Sequence, residues 1–377
     1  MCSTIVGKTF HHFGNISDPR VNRGENYPLT EMIFLTLTAM LSGSDTWVDV
    51  ERFGQSKLDW LQKYLPFAQG IPSHNTLGRV FSMLDTVEFY AALQSFAGEI
   101  IGTVKGETVA LDGKTLRGSF DNSTGKSALH SISAWACGLR LCIGLKSVDD
   151  KSNEIPAVQE LIELLDLKGS VVTADAMHCQ KETARAVIKK EADYVLTAKA
   201  NQPTLYEAIH EALLVAMDAD DPAVRSTRMV EKSHGRKETR EVIVMPVPKD
   251  SDVFCEWEGI QTIGVVHRTR LINGQLQEES EYFITSLPPK PKAIAKHLRL
   301  HWSIENQQHH ILDVTFREDA SRIRKGNGPE ISSVFRRLTL NILQQDTSIK
   351  DNIRGKRKLC AWNTDHVDRI LTGLKRN

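Results

Sequence analysis

The chain changes its hydrophobic rhythm twice. Through residue 103, apolar positions recur every three or four residues, the period of helices with one buried face. The run LTEMIFLTLTAMLSG predicts a helix capped by Thr30 and stopped by Gly43. TWVDVERFGQSKLDWLQKYL continues at helical spacing. In IPSHNTLGRVFSMLD, Pro72 and Ser73 start a short helix with His74, Asn75 and Arg79 near its beginning. That pattern resembles a recognition helix after a turn, and packing inside a helical bundle explains it as well.

From Glu107 the period shortens. ETVALDGKTL is an apolar strand ending in polar residues, and SALHSISAWACG with LRLCIGLKSV forms a hairpin turning near Cys137-Gly138. EIPAVQELIELLDL is an amphipathic helix, SVVTAD a short buried strand, KETARAVIKKEA a helix and DYVLTAK a strand. This order predicts an α/β fold, a mixed sheet with helices on its faces. Between 225 and 287, TREVIVMPV, IQTIGVVHRTRLI and ESEYFITSL read as strands, with Asn273-Gly274 as a hairpin turn. The prolines of SLPPKPKA then end strand structure, and KHLRLHWSIENQQHHILD reads as an uninterrupted helix. Leu298, His301, Glu305, His309 and Leu312 would share one face of it. The organisation that follows is a helical domain over 1–103, an α/β core over 104–224, a β insertion over 225–290, the end of the core over 291–345, and a basic segment over 346–377.

With 377 residues the chain can build two or three cores. Its 47 basic and 47 acidic residues cancel, so net charge argues for no polyanion. Their distribution does: Arg225–Arg240 holds six basic and two acidic residues, and Lys350–Arg376 eight and three. The six cysteines have no CxxC spacing, so neither a zinc knuckle nor a disulfide framework is indicated and reduced thiols are expected. No signal pattern and no apolar run of membrane-spanning length is present, so the expectation is a soluble cytoplasmic protein.

Three carboxylates stand where a site could form: Asp112 on the first strand, Asp175 at the end of the strand after the first core helix, and Glu305 on the late helix. Open α/β sheets gather sites at strand ends. Singly, each residue has an ordinary explanation: a turn before Gly113, a helix cap, a surface ion pair. Together they would repel one another unless cations intervene, and two Mg²⁺ ions suit an all-oxygen set. His301 and His309 flank Glu305, but the HExxH spacing of a zinc site is absent.

Nearly the whole chain resembles the H-repeat-associated, Rhs-linked family of bacterial insertion-sequence DDE transposases. The segments LSGSDTWVDVERFGQSKLDWL, ALDGKTLRGS, KSNEIPAVQELIELLDLKG, VTADAMHCQK, YVLTAKANQ, EKSHGRKETR, HWSIEN and EDASRIRKGN carry the likeness. The resemblance implies a ribonuclease-H-like core, a helical N-terminal domain and a β insertion before the third carboxylate. It also implies Asp112, Asp175 and Glu305 as the catalytic, metal-holding triad, two Mg²⁺ ions with Mn²⁺ able to substitute, and double-stranded DNA as partner of a homodimer. The chain departs from the wider transposase group at three places around Glu305. Leu298, His301 and Leu312 stand where tyrosine, arginine and lysine are usual, and His178 stands where glycine is usual. These departures favour an alternative, a relative that binds DNA without cutting it. A stand-alone nuclease on the same core is a third reading.

Further candidates for DNA contact are Lys114 and Arg117 after Asp112, and Lys199, Asn201 and Gln202 after the last core strand. His234, Arg236 and Arg240 flank a tight turn at Gly235; Arg322, Arg324 and Lys325 could clamp a phosphate; His301 could replace the missing arginine. The ordinary alternatives are polar loops, exposed turns and basic helix ends.

Overall fold

Nine strands form one mixed sheet in the computed structural model, which describes residues 4–20, 26–120, 125, 127–148, 154–233, 236–272 and 275–373. The N-terminal helices are α1 (Ile5–Phe13), α2 (Leu29–Leu41), α3 (Trp47–Ser56), α4 (Leu58–Leu61), α5 (His74–Phe81) and α6 (Thr86–Ile101). The core continues with β1 (Thr108–Thr115), β2 (His130–Ala136), β3 (Leu141–Val148), α7 (Glu154–Leu164), β4 (Val171–Ala174), α8 (Lys181–Lys189), β5 (Asp193–Ala198) and α9 (Pro203–Asp218). Then come β6 (Arg225–Ser233), β7 (Arg236–Pro246), α10 (Asp252–Cys255), β8 (Thr262–Ile272) and β9 (Gln275–Thr285). The last helices are α11 (Pro291–His301), α12 (His310–Val314), α13 (Gly328–Gln345), α14 (Ile353–Trp362) and α15 (Thr364–Thr372).

The strand order is β3-β2-β1-β4-β5-β9-β8-β7-β6. β1, β4 and β5 run parallel, and the β2–β3 hairpin pairs antiparallel to β1. The strands of the insertion enter this same sheet, because β9 pairs antiparallel with β5. The sequence pattern showed three of these strands; β6 is a fourth, polar along most of its length and at the sheet edge, so alternation did not mark it. His234 and the Asn273-Gly274 turn lie outside the described residues.

One apolar core fills one face of the sheet from β1 to β3, and a second fills the other face. The first is shared by the N-terminal helices and by α13, α14 and α15, so residues 1–103 do not enclose a core of their own. α2 is the reason: every residue of it but Thr30 is buried, and a helix apolar all round must be covered on all sides. α13 supplies part of that cover and is itself buried along nearly its whole length. Each fully buried Leu or Phe stabilises this packing by about 1.5–3 kcal/mol. The expected cap at Thr30 is not used; the helix begins at Leu29, after Pro28, and Thr30 lies inside its first turn. Gly43 does follow the helix end, at φ 100°, a conformation costly for any side chain.

Candidate active site

Parallel pairing of β1 with β4 aligns Leu111 with Ala174, so the next residues, Asp112 and Asp175, end up side by side, Asp112 inside β1 and Asp175 just past the end of β4. Leu111 and Ala174 face the second core; alternation turns the two aspartates to the opposite face, under α11. There a cavity is lined by Asp112, Asp175 and Glu305 together with Thr173, Lys199 and His301. The three carboxylates that the sequence singled out thus share one cavity, although Glu305 lies 193 positions after Asp112 in the chain.

Glu305 opens a stretch of π-helix, Glu305–His309, in which the N–H of His310 donates to the carbonyl of Glu305. This wider turn breaks the single helical face predicted from spacing. Leu298, His301 and Glu305 line the cavity, His309 packs at Asp112, and Leu312 is buried in the first core. π-turns inside α-helices recur at functional sites because they redirect side chains locally.

The electrostatics are those of crowded acids. Burial, then the neighbouring charge of Asp175 and more weakly that of Glu305, push the Asp112 carboxyl up to about 7. Asp175 is held below the usual carboxylate range, first by the His301 ring, whose Nε2 stands 3.1 Å from its Oδ1. The His301 Nδ1 reaches the Thr173 hydroxyl at 3.0 Å. On the other aspartate, His309 Nδ1 lies 3.4 Å from Asp112 Oδ2. Burial and the nearby cations Arg337 and Lys114 push His309 down to about 3, so this ring is neutral near pH 7. His178 does not line the cavity. It is buried and pushed down to about 4 by burial, which outweighs the opposite pull of the Asp175 charge; its Nε2 stands 3.7 Å from the Glu154 carboxylate. Glu154 is engaged more closely by His130, at 2.6 Å.

The other sequence candidates fall into three groups. Lys114 is buried and its Nζ bridges Asp313 and Asp319 at 2.7 and 3.2 Å, so it is an internal tie. Asn201 and Gln202 donate to the carbonyls of Ala176 and Cys179; where base contacts were expected, their amides fasten the loop after β5 to the loop carrying Asp175. Arg240 lines the cavity but pairs with Glu238 and, at 3.9 Å, with Glu231. Lys199, half exposed at the cavity, pairs with Glu281 at 3.0 Å. Arg117 is 85% exposed, with Asp319 at 3.7 Å. Arg236 begins β7. Arg322, Arg324 and Lys325 lie apart from the carboxylates, facing α5. Two contacts escaped sequence reasoning: His309 on Asp112, and Thr173, whose position two residues before Asp175 on a strand was a usable signal.

Residues 104–342 match the family described as Transposase DDE domain, and residues 10–97 match the one described as DDE_Tnp_1-associated. The chain therefore belongs to the DDE transposase family. It is 39% identical to the putative transposase YncI of Escherichia coli O157:H7, over 94% of this chain and 92% of that one. It is 36% identical to the H repeat-associated putative transposase YhhI of Escherichia coli strain K12, over 97% of this chain and 98% of that one. Among solved structures it aligns with a piggyBac transposase synaptic complex with hairpin DNA at 10% identity, over 98% of this chain and 78% of that one; the TM-score of 0.43 is too low to bear on the fold. Among the described residues no helix is long and apolar enough to cross a membrane.

Proposed function

We propose that this chain is an insertion-sequence transposase that binds the terminal inverted repeats of its element, cuts the DNA strands with water, and joins the freed 3′-hydroxyl to target DNA. One observation carries the reading: Asp112 on β1 and Asp175 just past the end of the parallel strand β4 stand side by side and share a cavity with Glu305, and burial and mutual repulsion push the Asp112 carboxyl up to about 7. Such a set calls for cations.

Asp112, Asp175 and Glu305 would hold two Mg²⁺ ions, with Mn²⁺ as a substitute; their oxygen donors fit these hard cations. When bound, the ions supply an activated attacking oxygen and neutralise charge on the leaving one. The chain's own residues do the rest. His301 and His309 orient the two aspartates, as partners of metal ligands do. Lys114 engages Asp313 and Asp319 and so keeps two nearby carboxylates from competing for the ions. Lys199 stands exposed at the cavity and Arg117 exposed past the end of β1, both suited to phosphates of the scissile strand. His234, Arg236 and Arg240 would contact the element end, and the DNA-bound form would be a homodimer. The strand order β3-β2-β1-β4-β5, with the hairpin antiparallel to three parallel strands, supports a ribonuclease-H-like core.

The test is single-turnover cleavage of a duplex carrying the DNA that flanks the coding region, in Mg²⁺. Asp112→Asn, Asp175→Asn and Glu305→Gln should each cost several powers of ten in rate. Their melts in EDTA should be unchanged or higher, since one charge leaves a crowded set. A variant that cuts at the wild-type rate removes its residue from the ligand set.

A second reading, a relative that binds DNA without cutting, has one observation in its favour. Leu298 and His301 line the cavity at the places where the resemblance implies a tyrosine and an arginine. Wild-type protein that binds the flanking duplex and never nicks it would support that reading instead.

A further inference from the structure

The carboxylate cavity leaves one basic cleft of the molecule unused. It lies between the N-terminal end of α5 and the segment Arg322–Lys325, with Trp47 in its wall. Arg79, Arg322 and Lys325 are exposed there, and none of the residues lining the cleft is acidic. Two carboxylates bond lining residues and both are engaged there: Glu51 by His74, at 2.6 Å from Nδ1 and 2.8 Å from the backbone N–H, and Asp49 by the Thr46 hydroxyl and backbone N–H, at 2.7 and 3.1 Å. A set of cations facing one another without counter-charge is unfavourable unless an anion completes it.

The cleft is built on a rigid frame. Gly326, at φ 51°, comes so close to α5 that an added Cβ would stand 2.4 Å from the Ser82 carbonyl. The Asn327 backbone N–H donates to Ser82 at 3.0 Å, and its side-chain amide donates to Leu84 at 2.8 Å. Trp47 stacks on Phe81 with ring centroids 4.9 Å apart, which fixes the aromatic wall. These ties hold Arg79 on one side and Arg322 and Lys325 on the other, at a set separation.

The cleft is also joined to the catalytic strand. Arg324 Nε donates to the carbonyl of Gly118 at 3.1 Å, and its guanidinium lies 4.6 Å above the Phe120 ring. Gly118 follows the exposed Arg117, five residues beyond Asp112. Arg324 thus ties the cleft to the segment that carries Arg117, just past the end of β1.

We infer that this cleft is a second seat for the phosphodiester backbone of double-stranded DNA, gripping the duplex beyond the scissile position. The inference rests on the reading that the chain acts on DNA, and deepens it. Arg79 and Lys325 would each meet a phosphate from opposite walls, and the flat face of Trp47 would pack against the sugar edge.

Backbone contacts are sequence-independent, so a mixed-sequence, fluorescein-labelled duplex about three helical turns long serves as probe. Binding is read by anisotropy over a KCl series in EDTA. Arg79→Ala/Lys325→Ala should flatten the slope of log K against log [KCl] by about 1.8, at about 0.9 per lost contact. The control, Arg185→Ala/Lys189→Ala, removes the same charge from exposed positions on α8 and should leave the slope unchanged. An unchanged slope in the cleft variant, an equal loss in the control, or a wild type that does not bind the duplex overturns the inference. If the double variant melts early, Arg322→Ala alone should cost about 0.9 of slope. Mg²⁺-dependent cleavage by the wild type is measured separately. A protein that never cuts but loses the slope refutes the catalytic reading and keeps the cleft; one that cuts with the slope intact does the reverse.

Discussion

Each aspartate of the site is met by a histidine from the late helix, His301 on Asp175 and His309 on Asp112. A third histidine, His178, which stands where the resemblance implies a glycine, is buried in the protein. Its burial has a cost in acid. The folded pKa is depressed to about 4 from 6.5, so the unfolded chain binds the extra proton first as pH falls. The stability tied to the neutral ring is complete above about pH 6.5 and is lost as pH drops toward about 4. His178→Gln should remove up to one proton from this dependence, on the order of 1.4 kcal/mol per pH unit between those limits. Urea unfolding at a series of pH values checks it; parallel curves for variant and wild type would refute it. Which histidine touches which acid could not be read from the chain, because contacts between residues more than a hundred positions apart depend on how the helix lies across the strands.

Among the elements, the π-turn decides the most. A regular helix would stack His309 over Glu305 at the i+4 position. The wider turn instead lets Glu305 face the cavity while His309 reaches Asp112 and Leu312 remains in the core. Deleting the exposed Asn306 should convert the stretch to regular helix, since a π-turn is one residue too many for an α-helical turn. The helix content and the melt should hold, while cleavage falls by at least about a hundredfold as Glu305 or His309 rotates out of place. Circular dichroism with single-turnover cleavage measures both, and normal cleavage would mean that the turn has no part in the site. Helical periodicity located this element well, and the same assumption of a uniform period concealed the insertion.

The molecule as a whole is bound together by α13. It packs against α2 and α6 and carries Arg337, whose Nη1 lies 2.9 Å from Glu318 in a fully buried pair. A buried carboxylate beside two buried guanidinium groups is tolerated only while paired. Because α2 has its apolar surface covered partly by α13, a fragment of residues 1–103 should not fold alone. Proton NMR of that fragment should show narrow amide dispersion, and a dispersed, cooperative melt would refute the shared core. Composition and period marked residues 1–103 as helical, but neither indicates where the partner surface comes from.

Local chemistry was therefore enough for the elements of the core: strand alternation, helical period and turn residues act within a few positions, and β1, β4, β5 and most helices stand where these rules put them. The three carboxylates were visible for the same reason, since an acid on an apolar strand, an acid at the end of one and a helix that follows prolines are local features. Packing alone decided the rest. It merged the insertion strands into the core sheet through β9, and it drew the N-terminal helices onto α13. It also spent Lys114, Asn201 and Gln202 on internal ties, and left Arg79, Arg322 and Lys325 facing one cleft. Burial and charge pairing arise between distant segments, and they exist only once the chain has folded.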